Sequence, residues 1–159
     1  MPQPFITASN CGVVVTAKRT DLKNPAVPIP AELIRRYSIK FSPDGNKLYI
    51  GGEDRCIFIL NISEKTIEKV SKSEHVNKIN SVACSKNGKY FASAGSDGVV
   101  KWFNAHNKEP LFQFVGHDDS EVNSVEFFPN EDQFISVDES GKKFILSCKD
   151  GILTKLFKP

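Results

Sequence analysis

The chain has 159 residues, of which 40% are hydrophobic and 25% charged, an ordinary composition for a soluble protein that is long enough to form one compact domain. A formal net charge of +2 is too small to indicate nucleic acid or an anionic membrane as the partner. No apolar stretch approaches the roughly 18 residues of a membrane span, and Met1-Pro2-Gln3-Pro4 lacks the features of a signal peptide, so we expect an intracellular protein, cytoplasmic or nuclear.

The first predicted unit, residues 4–36, is a partial repeat. It begins at Phe5 with a β-rich run that corresponds to the second strand of the later units. Residues 19–36 are less regular and contain Pro25, Pro28 and Pro30. We interpret this stretch as a loop that holds at most a weak edge strand, because proline cannot donate to a strand ladder.

The second unit, residues 37–74, contains four β-rich runs separated by turn residues. The turn Ser42–Asn46 includes the sequence Pro-Asp-Gly, which favours a tight connection between two strands. The predicted strands are Tyr37–Phe41, Lys47–Ile50, Ile57–Asn61 and Thr66–Val70.

Two further units, residues 75–115 and 116–159, follow the same path. Turn residues such as Asn87-Gly88 and Asp97-Gly98 separate short runs rich in β-branched and aromatic residues, which predicts antiparallel hairpins. The predicted strands are Ile79–Cys84, Tyr90–Ala94, Val99–Asn104 and Leu111–Val115, then Val122–Phe127, Gln133–Val137, Lys143–Ser147 and Ile152–Phe157.

The units share one period. Gly12, Arg55, Gly98 and Gly141 each lie 43 residues after the one before, within the same strand, turn and strand pattern. Self-similarity at about 40–45 residues with four strands in each unit is the signature of propeller blades. This repetition favours a binding scaffold over an enzyme.

On these motifs the chain resembles the WD-repeat β-propeller family over about residues 4–159. Gly116-His117 matches the start of a family repeat, and Phe41–Gly45 and Ser93–Gly98 match its two hairpins. The resemblance implies an all-β fold made of blades of four antiparallel strands, with about 3.5–4 blades in residues 1–159. The Trp-Asp pair that names the family is replaced by Leu60-Asn61, Phe103-Asn104 and Leu146-Ser147.

The resemblance also implies a structural hydrogen-bond network within each blade. His75, Ser93 and Asp97 match its positions in one unit, with Phe103 in place of the indole donor, and His117 opens the next unit. We expect these three residues and His117 to be its structural members, with a full set only in the first of the two units, so that the network is partial. The first three share the composition of a catalytic Ser-His-Asp set, but we expect them to tie loops together.

The number of blades leaves three interpretations open. The chain is a piece of a longer protein, or it completes a ring with a second copy or a partner chain, or it closes as a small four-bladed propeller. An open array would leave unpaired strand edges and a bare apolar blade face at each end.

Residues for catalysis, metal binding or cofactor binding do not cluster in the sequence. His75, His106 and His117 fall in different loops, and the phosphate-binding glycine motif is missing. We therefore predict no enzyme activity, no metal and no cofactor.

Acidic residues mark the best candidate for partner binding. Eight of them and no Lys or Arg occur from Asp118 through Glu139. Five should lie together on one face, where a basic peptide or protein would bind, namely Asp118, Asp119, Glu121, Asp138 and Glu139. Glu131 and Asp132 should lie on the opposite face. The alternative is that these loops only keep the rim of the propeller soluble.

The sequence thus predicts a non-enzymatic scaffold that assembles other proteins through its loops. The alternative is a subunit of an RNA-processing or other nucleic-acid-associated particle. Nucleic acid is the less favoured partner because no aromatic residues for base stacking are interleaved with the basic ones at Lys18, Arg19, Arg35 and Arg36.

Overall fold

The structure is a computed structural model that describes residues 7–9, 12–14, 36–70, 74–129, 133–149 and 152–157. Two compact units are present, residues Met1–Arg36 and Tyr37–Pro159. In the first unit, strands β1 (Thr7–Ser9) and β2 (Gly12–Val14) form an antiparallel pair. The predicted proline-rich loop over residues 19–36 lies outside the described residues except at Arg36.

The second unit contains three four-stranded antiparallel sheets, each a simple meander, which we call blades I, II and III. Blade I comprises β3 (Arg36–Phe41), β4 (Lys47–Gly52), β5 (Phe58–Asn61) and β6 (Thr66–Lys69). Blade II comprises β7 (Ile79–Cys84), β8 (Tyr90–Gly95), β9 (Val100–Asn104) and β10 (Pro110–Phe114). Blade III comprises β11 (Val122–Phe127), β12 (Gln133–Asp138), β13 (Lys143–Lys149) and β14 (Ile152–Phe157). The all-β fold class predicted from the sequence is therefore confirmed.

Each blade forms because its turns are encoded locally. Gly45 and Gly88 hold positive φ angles of 72° and 70° in the turns between the first two strands of blades I and II. Gly98 and Gly141 hold φ angles of 74° and 82° in the turns between the second and third strands of blades II and III. Glycine adopts this conformation without steric cost, so the 43-residue repeat fixes hairpins at the same place in successive blades.

The apolar core lies between the blades. One cluster joins Tyr49 and Ile59 of blade I to Val82 and Phe91 of blade II. The other joins Ala92 and Trp102 of blade II to Val125, Phe134 and Leu146 of blade III. Stacked blades bury both faces of the middle sheet, which accounts for strands such as β8 that are almost wholly apolar or small.

In blade II, an aromatic ring takes the place of the missing Trp of the Trp-Asp pair. Phe103 is fully buried and stacks on Phe91 with ring centroids 4.8 Å apart. Trp102 packs edge-on against Phe134 at 5.1 Å, and its buried Nε1 has no acceptor among the described residues. This blade interface is therefore held by ring packing, without an indole hydrogen bond among the described residues.

Hydrogen bonds between blades repeat with the same period. The Val82 backbone N–H donates to Ser38 Oγ (2.9 Å), and the Val125 N–H donates to Ser81 Oγ (3.2 Å). These bonds satisfy backbone donors on the first strands of blades II and III that have no strand partner on that side. Lys40 Nζ of β3 also lies 2.8 Å from Glu126 Oε1 of β11. The first strands of the three blades therefore lie close to one another.

Candidate functional site

Antiparallel topology places two sets of connections at the same end of each blade. The loop before the first strand and the turn between the second and third strands meet there, and we call this end the loop face. In blade II these segments are residues 74–78 and 95–99, and in blade III they are 116–121 and 138–142. Each predicted site residue lies on or directly beneath this face.

His75, Ser93 and Asp97 form one buried hydrogen-bond network beneath the loop face. His75 Nδ1 lies 2.9 Å from Asp97 Oδ1, and His75 Nε2 lies 2.8 Å from Ser93 Oγ. An ionised carboxylate only accepts hydrogen bonds, so Nδ1 carries a proton and donates it to Asp97. Asp97 also accepts from the backbone N–H of Val76 and Val99, which ties the loop to the turn.

A second network of the same kind occurs in blade III. His117 Nδ1 lies 2.8 Å from Asp138 Oδ2, and His117 Nε2 lies 2.8 Å from Ser136 Oγ. The expectation that the network is complete only at His75, Ser93 and Asp97 is therefore wrong, because Ser136 and Asp138 complete it around His117. Asp138, predicted as an exposed partner-binding residue, is 3% exposed and belongs to this network instead.

The carboxylates of Asp97 and Asp138 make equivalent hydrogen bonds, although the two residues occupy different positions in the repeat. Ser93 and Ser136 are 43 residues apart, but Asp138 corresponds in the repeat to Gly95, two residues before Asp97. A Cβ at Gly95 would lie 2.5 Å from His75 Nδ1, so blade II leaves that position without a side chain. Asp97 accepts from the N–H of Val99, and Asp138 from that of Lys142, its equivalent 43 residues later.

Both carboxylates are ionised in the folded protein. Burial alone would raise the pKa of Asp97, but the hydrogen bond and charge of His75 and the N–H of Val76 and Val99 hold that pKa below its ordinary value. In Asp138, hydrogen bonds from Ser140, His117 and Lys142 outweigh burial and lower the pKa to about 2 from 3.8.

The order of contacts is that of a catalytic Ser-His-Asp triad, but the setting differs. Ser93 and Ser136 are both 0% exposed, and His117 is also 0% exposed. A nucleophile needs room for a substrate carbonyl beside it. The hydroxyl groups of these two serines lack that room, so the geometry suits holding loops in place.

The remaining acidic residues lie at the surface of the loop face. Asp118, Asp119 and Glu139 are exposed, and Glu121 is half-buried. Lys142 pairs with Asp118, and Lys78 lies 3.7 Å from Glu121. Asp119 and Glu139 make no ion pair within the described part of the chain. Glu131 and Asp132, predicted for the opposite face, lie outside the described residues.

Glu121 also links two blades. Its carboxylate accepts a hydrogen bond from Ser96 Oγ of blade II (2.8 Å), and Asn80 Nδ2 donates to the Val122 carbonyl (3.1 Å). The Glu139 N–H in turn donates to the Glu121 carbonyl (2.9 Å). The loop face of blades II and III is therefore one hydrogen-bonded surface with carboxylates on its outer side.

Three residues of interest, Ser136, Lys47 and Lys89, were not among those predicted from the sequence. Ser136 could have been predicted as a network residue, because it lies 43 residues after Ser93 and each of the two serines is preceded by a histidine. Lys47 and Lys89 line a cleft at the opposite end of blades I and II. No motif marks them, because the cleft forms only when the two blades pack side by side.

Groups that could hold a metal ion are not found among the described residues. Cys56 and Cys84 are buried free thiols. Within the described ranges, no helix has the length and apolar character needed to cross a membrane.

Comparison with known proteins gives one consistent result. The family described as "WD domain, G-beta repeat" matches residues 35–61, 68–104 and 108–153. The WD repeat-containing protein 55 homolog of Drosophila persimilis is 25% identical over 117 residues, which are 73% of this chain and 21% of that protein. The chain thus spans about a fifth of the length of the curated relatives it matches.

Solved structures show the same fold. The WD40 repeats of RRP9 superpose with a TM-score of 0.68 at 18% identity, covering 77% of this chain and 38% of that one. The structure of U3-55K gives a TM-score of 0.70 at 17% identity, covering 77% of this chain and 39% of that one.

Proposed function

The chain belongs to the WD-repeat family, and from that premise we propose that it is a non-enzymatic scaffold whose loop face binds a basic segment of another protein. The observation that carries the proposal is the pair of buried His-Asp-Ser networks directly beneath exposed carboxylates. Rigid loops lose little conformational entropy on binding, so a framework of this kind favours recognition by loops.

Charge supports the choice of a basic partner. Asp119 and Glu139 are exposed and make no ion pair among the described residues, and Asp118 and Glu121 lie in the loop beside them. Lys142 and Lys78 offset part of this charge, so the attraction is moderate. A positively charged segment would approach faster and bind more weakly at high salt.

A non-enzymatic role is favoured by the burial of the only Ser-His-Asp sets within the described residues. Their serine hydroxyls face histidine nitrogens at 2.8 Å in the interior. Removing Ser93 or Ser136 should therefore change stability and leave any hydrolytic background unchanged. Hydrolysis of a model ester that depends on either serine would contradict this part of the proposal.

The test is charge removal without change of shape. We expect Asp119→Asn with Glu139→Gln to weaken binding of a labelled Arg- and Lys-rich peptide several-fold and to make the salt dependence shallower. Asn tolerates the positive φ of 64° at position 119. The matched control is Glu64→Gln with Glu109→Gln, which removes the same charge from exposed turns at the other end of the blades.

Two outcomes would count against the scaffold proposal. Equal weakening by both double variants would show that only net charge matters. Tight, salt-sensitive binding of single-stranded RNA, with no binding of the basic peptide, would favour the alternative function in a nucleic-acid-associated particle.

A further inference from the structure

A cleft lies at the end of the blades opposite the loop face. It has a volume of about 430 Å³ and is formed by the first turns of blades I and II together with the turn after β9. Its lining includes Pro43, Asp44, Lys47, Lys89, Tyr90 and His106. The full length of the strands separates this cleft from the acidic loop face.

The side chains of the basic residues in this cleft are unpaired among the described residues. Lys47, Lys89 and His106 make no side-chain hydrogen bond or ion pair within the described part of the chain. Lys40, Lys69, Lys78, Lys108 and Lys142, in contrast, all pair with carboxylates. Lys47 and Lys89 share one concave site, and neither forms an ion pair within the described part of the chain, so an anion bound between them would be attracted by both charges.

The one carboxylate in the lining is already occupied. Asp44 accepts hydrogen bonds from Ser42 Oγ (2.5 Å), Asn46 N (3.0 Å) and Asn46 Nδ2 (3.2 Å). The Ser42 hydroxyl and the Asn46 N–H lower the pKa of Asp44, so it stays ionised and holds its own turn. Its donors come from residues 42–46, so Asp44 makes no ion pair with Lys47 or Lys89.

The site is also held in shape before any ligand binds. Ser42 Oγ accepts from the Lys47 N–H at 2.9 Å, and Ser85 Oγ accepts from the Tyr90 N–H at 2.9 Å. The Ala105 N–H donates to the Lys89 carbonyl, which fixes the third turn against the second. Pre-formed geometry reduces the entropic cost of binding a flexible ligand.

We propose that this cleft binds an acidic peptide segment of a partner protein, with Lys47 and Lys89 pairing with its carboxylates and His106 donating a further hydrogen bond. Pro43 and Ala105 offer apolar contact for aliphatic groups between the acidic residues. RNA fits less well because stacking needs exposed rings, whereas Tyr49 is 1% exposed and Tyr90 is packed edge-on against Trp102. The proposal does not depend on the loop face, and it gives the scaffold two surfaces of opposite charge.

The experiment is a titration of a labelled peptide of alternating Glu and Ala into the whole chain, followed by fluorescence anisotropy. Lys47→Gln with Lys89→Gln should weaken binding about tenfold or more, because each lost charge-assisted contact costs a sizeable part of the affinity. The matched control is Lys65→Gln with Lys143→Gln, two exposed lysines that do not line the cleft and whose removal changes the net charge equally. The control should bind like the unmodified chain.

A second measurement locates the ligand without any variant. Backbone amide resonances of Lys89, Tyr90 and Ala105 should shift on addition of the peptide, and those of Val76 and Glu139 on the loop face should not. The proposal is overturned by equal loss of affinity in the two double variants, by shifts confined to the loop face, or by no binding of the acidic peptide. Lysine-dependent binding of single-stranded RNA in preference to the peptide would likewise overturn it.

Discussion

Arg55 has a backbone conformation that its side chain disfavours. Its φ angle is 62°, and the equivalent positions 43 and 86 residues later are Gly98 and Gly141 with φ angles of 74° and 82°. The left-handed region costs a residue with a Cβ about 1 kcal/mol or more. The repeat thus identifies a position at which this chain carries local strain.

Replacing Arg55 by glycine should stabilise the protein. We expect Arg55→Gly to raise the free energy of unfolding by about 0.5–1 kcal/mol, since relief of the left-handed strain exceeds the entropy that glycine adds to the unfolded chain. Urea unfolding measures the change. The opposite substitution, Gly98→Ala, should destabilise, because its Cβ would also lie 3.2 Å from Asp119 Cα. Destabilisation by Arg55→Gly would contradict the assignment.

Asp138 should make the stability depend on pH. Its pKa is about 2 in the folded state against an ordinary value of 3.8, so the contribution is present above pH 3.8 and is lost as the pH falls through about 2. Asp97 shifts in the same direction. Unfolding free energies measured between pH 5 and pH 2 should fall more steeply for the native chain than for Asp138→Asn. Parallel curves would show that Asp138 does not stabilise the fold through its charge.

At the scale of single residues, part of the candidate site could be predicted from the sequence. His75, Ser93 and Asp97 could be identified because they match a motif at fixed spacing. His117 was predicted as a network residue, but its partner Asp138 was not, because this carboxylate is displaced by two residues in the repeat and was therefore counted with the exposed acids. Hydrogen-bond geometry tolerates such a displacement, since only the position of the carboxylate oxygens matters.

Among the elements, β4 shows how closely the blades approach. A Cβ at Gly51 would lie 2.6 Å from Ile79 Cγ2 and 2.9 Å from Val82 Cγ1, both on β7 of the next blade. The equivalent residue of blade II is Ala94, which is buried against blade III without such a clash. Glycine at position 51 therefore sets the distance between blades I and II.

Filling that position should separate the two blades. We expect Gly51→Val to lower the free energy of unfolding by about 1–3 kcal/mol, because branched side chains at Ile79 and Val82 cannot move aside easily. The control is Ala94→Gly, which removes a methyl group at the equivalent interface and should cost less. Chemical denaturation compares the two, and a neutral effect of Gly51→Val would show that the blades can move apart without cost.

Strands were the most predictable elements, and interfaces were the least. Hairpin turns such as Asn87-Gly88 act within a few residues, so the bounds of β7 and β8 follow almost directly from the sequence. The cleft at Lys47 and Lys89 depends on contacts between residues more than 40 positions apart. Composition and spacing hold no information on which side chains remain unpaired after the blades have packed.

For the whole molecule, the rigidity of the loop face depends on coupling between the loops and the blades. Loop-face amides are bonded to groups that are themselves buried, including the Val76 and Val99 N–H on Asp97 and the Lys142 N–H on Asp138. The Ser96 N–H also donates to the Lys78 carbonyl, which joins the turn after β8 to the loop before β7. If these bonds act as a unit, the loop face opens only when the blades unfold.

Native-state hydrogen exchange tests this coupling most directly. We predict that the amides of Val76, Val99, Glu139 and Lys142 exchange with the same opening free energy as strand amides of β8 and β12, and that their exchange shows the same dependence on denaturant. That result would establish a rigid loop face suited to display binding residues. Exchange of these loop amides at much lower opening free energy, while the strands stay protected, would contradict the account.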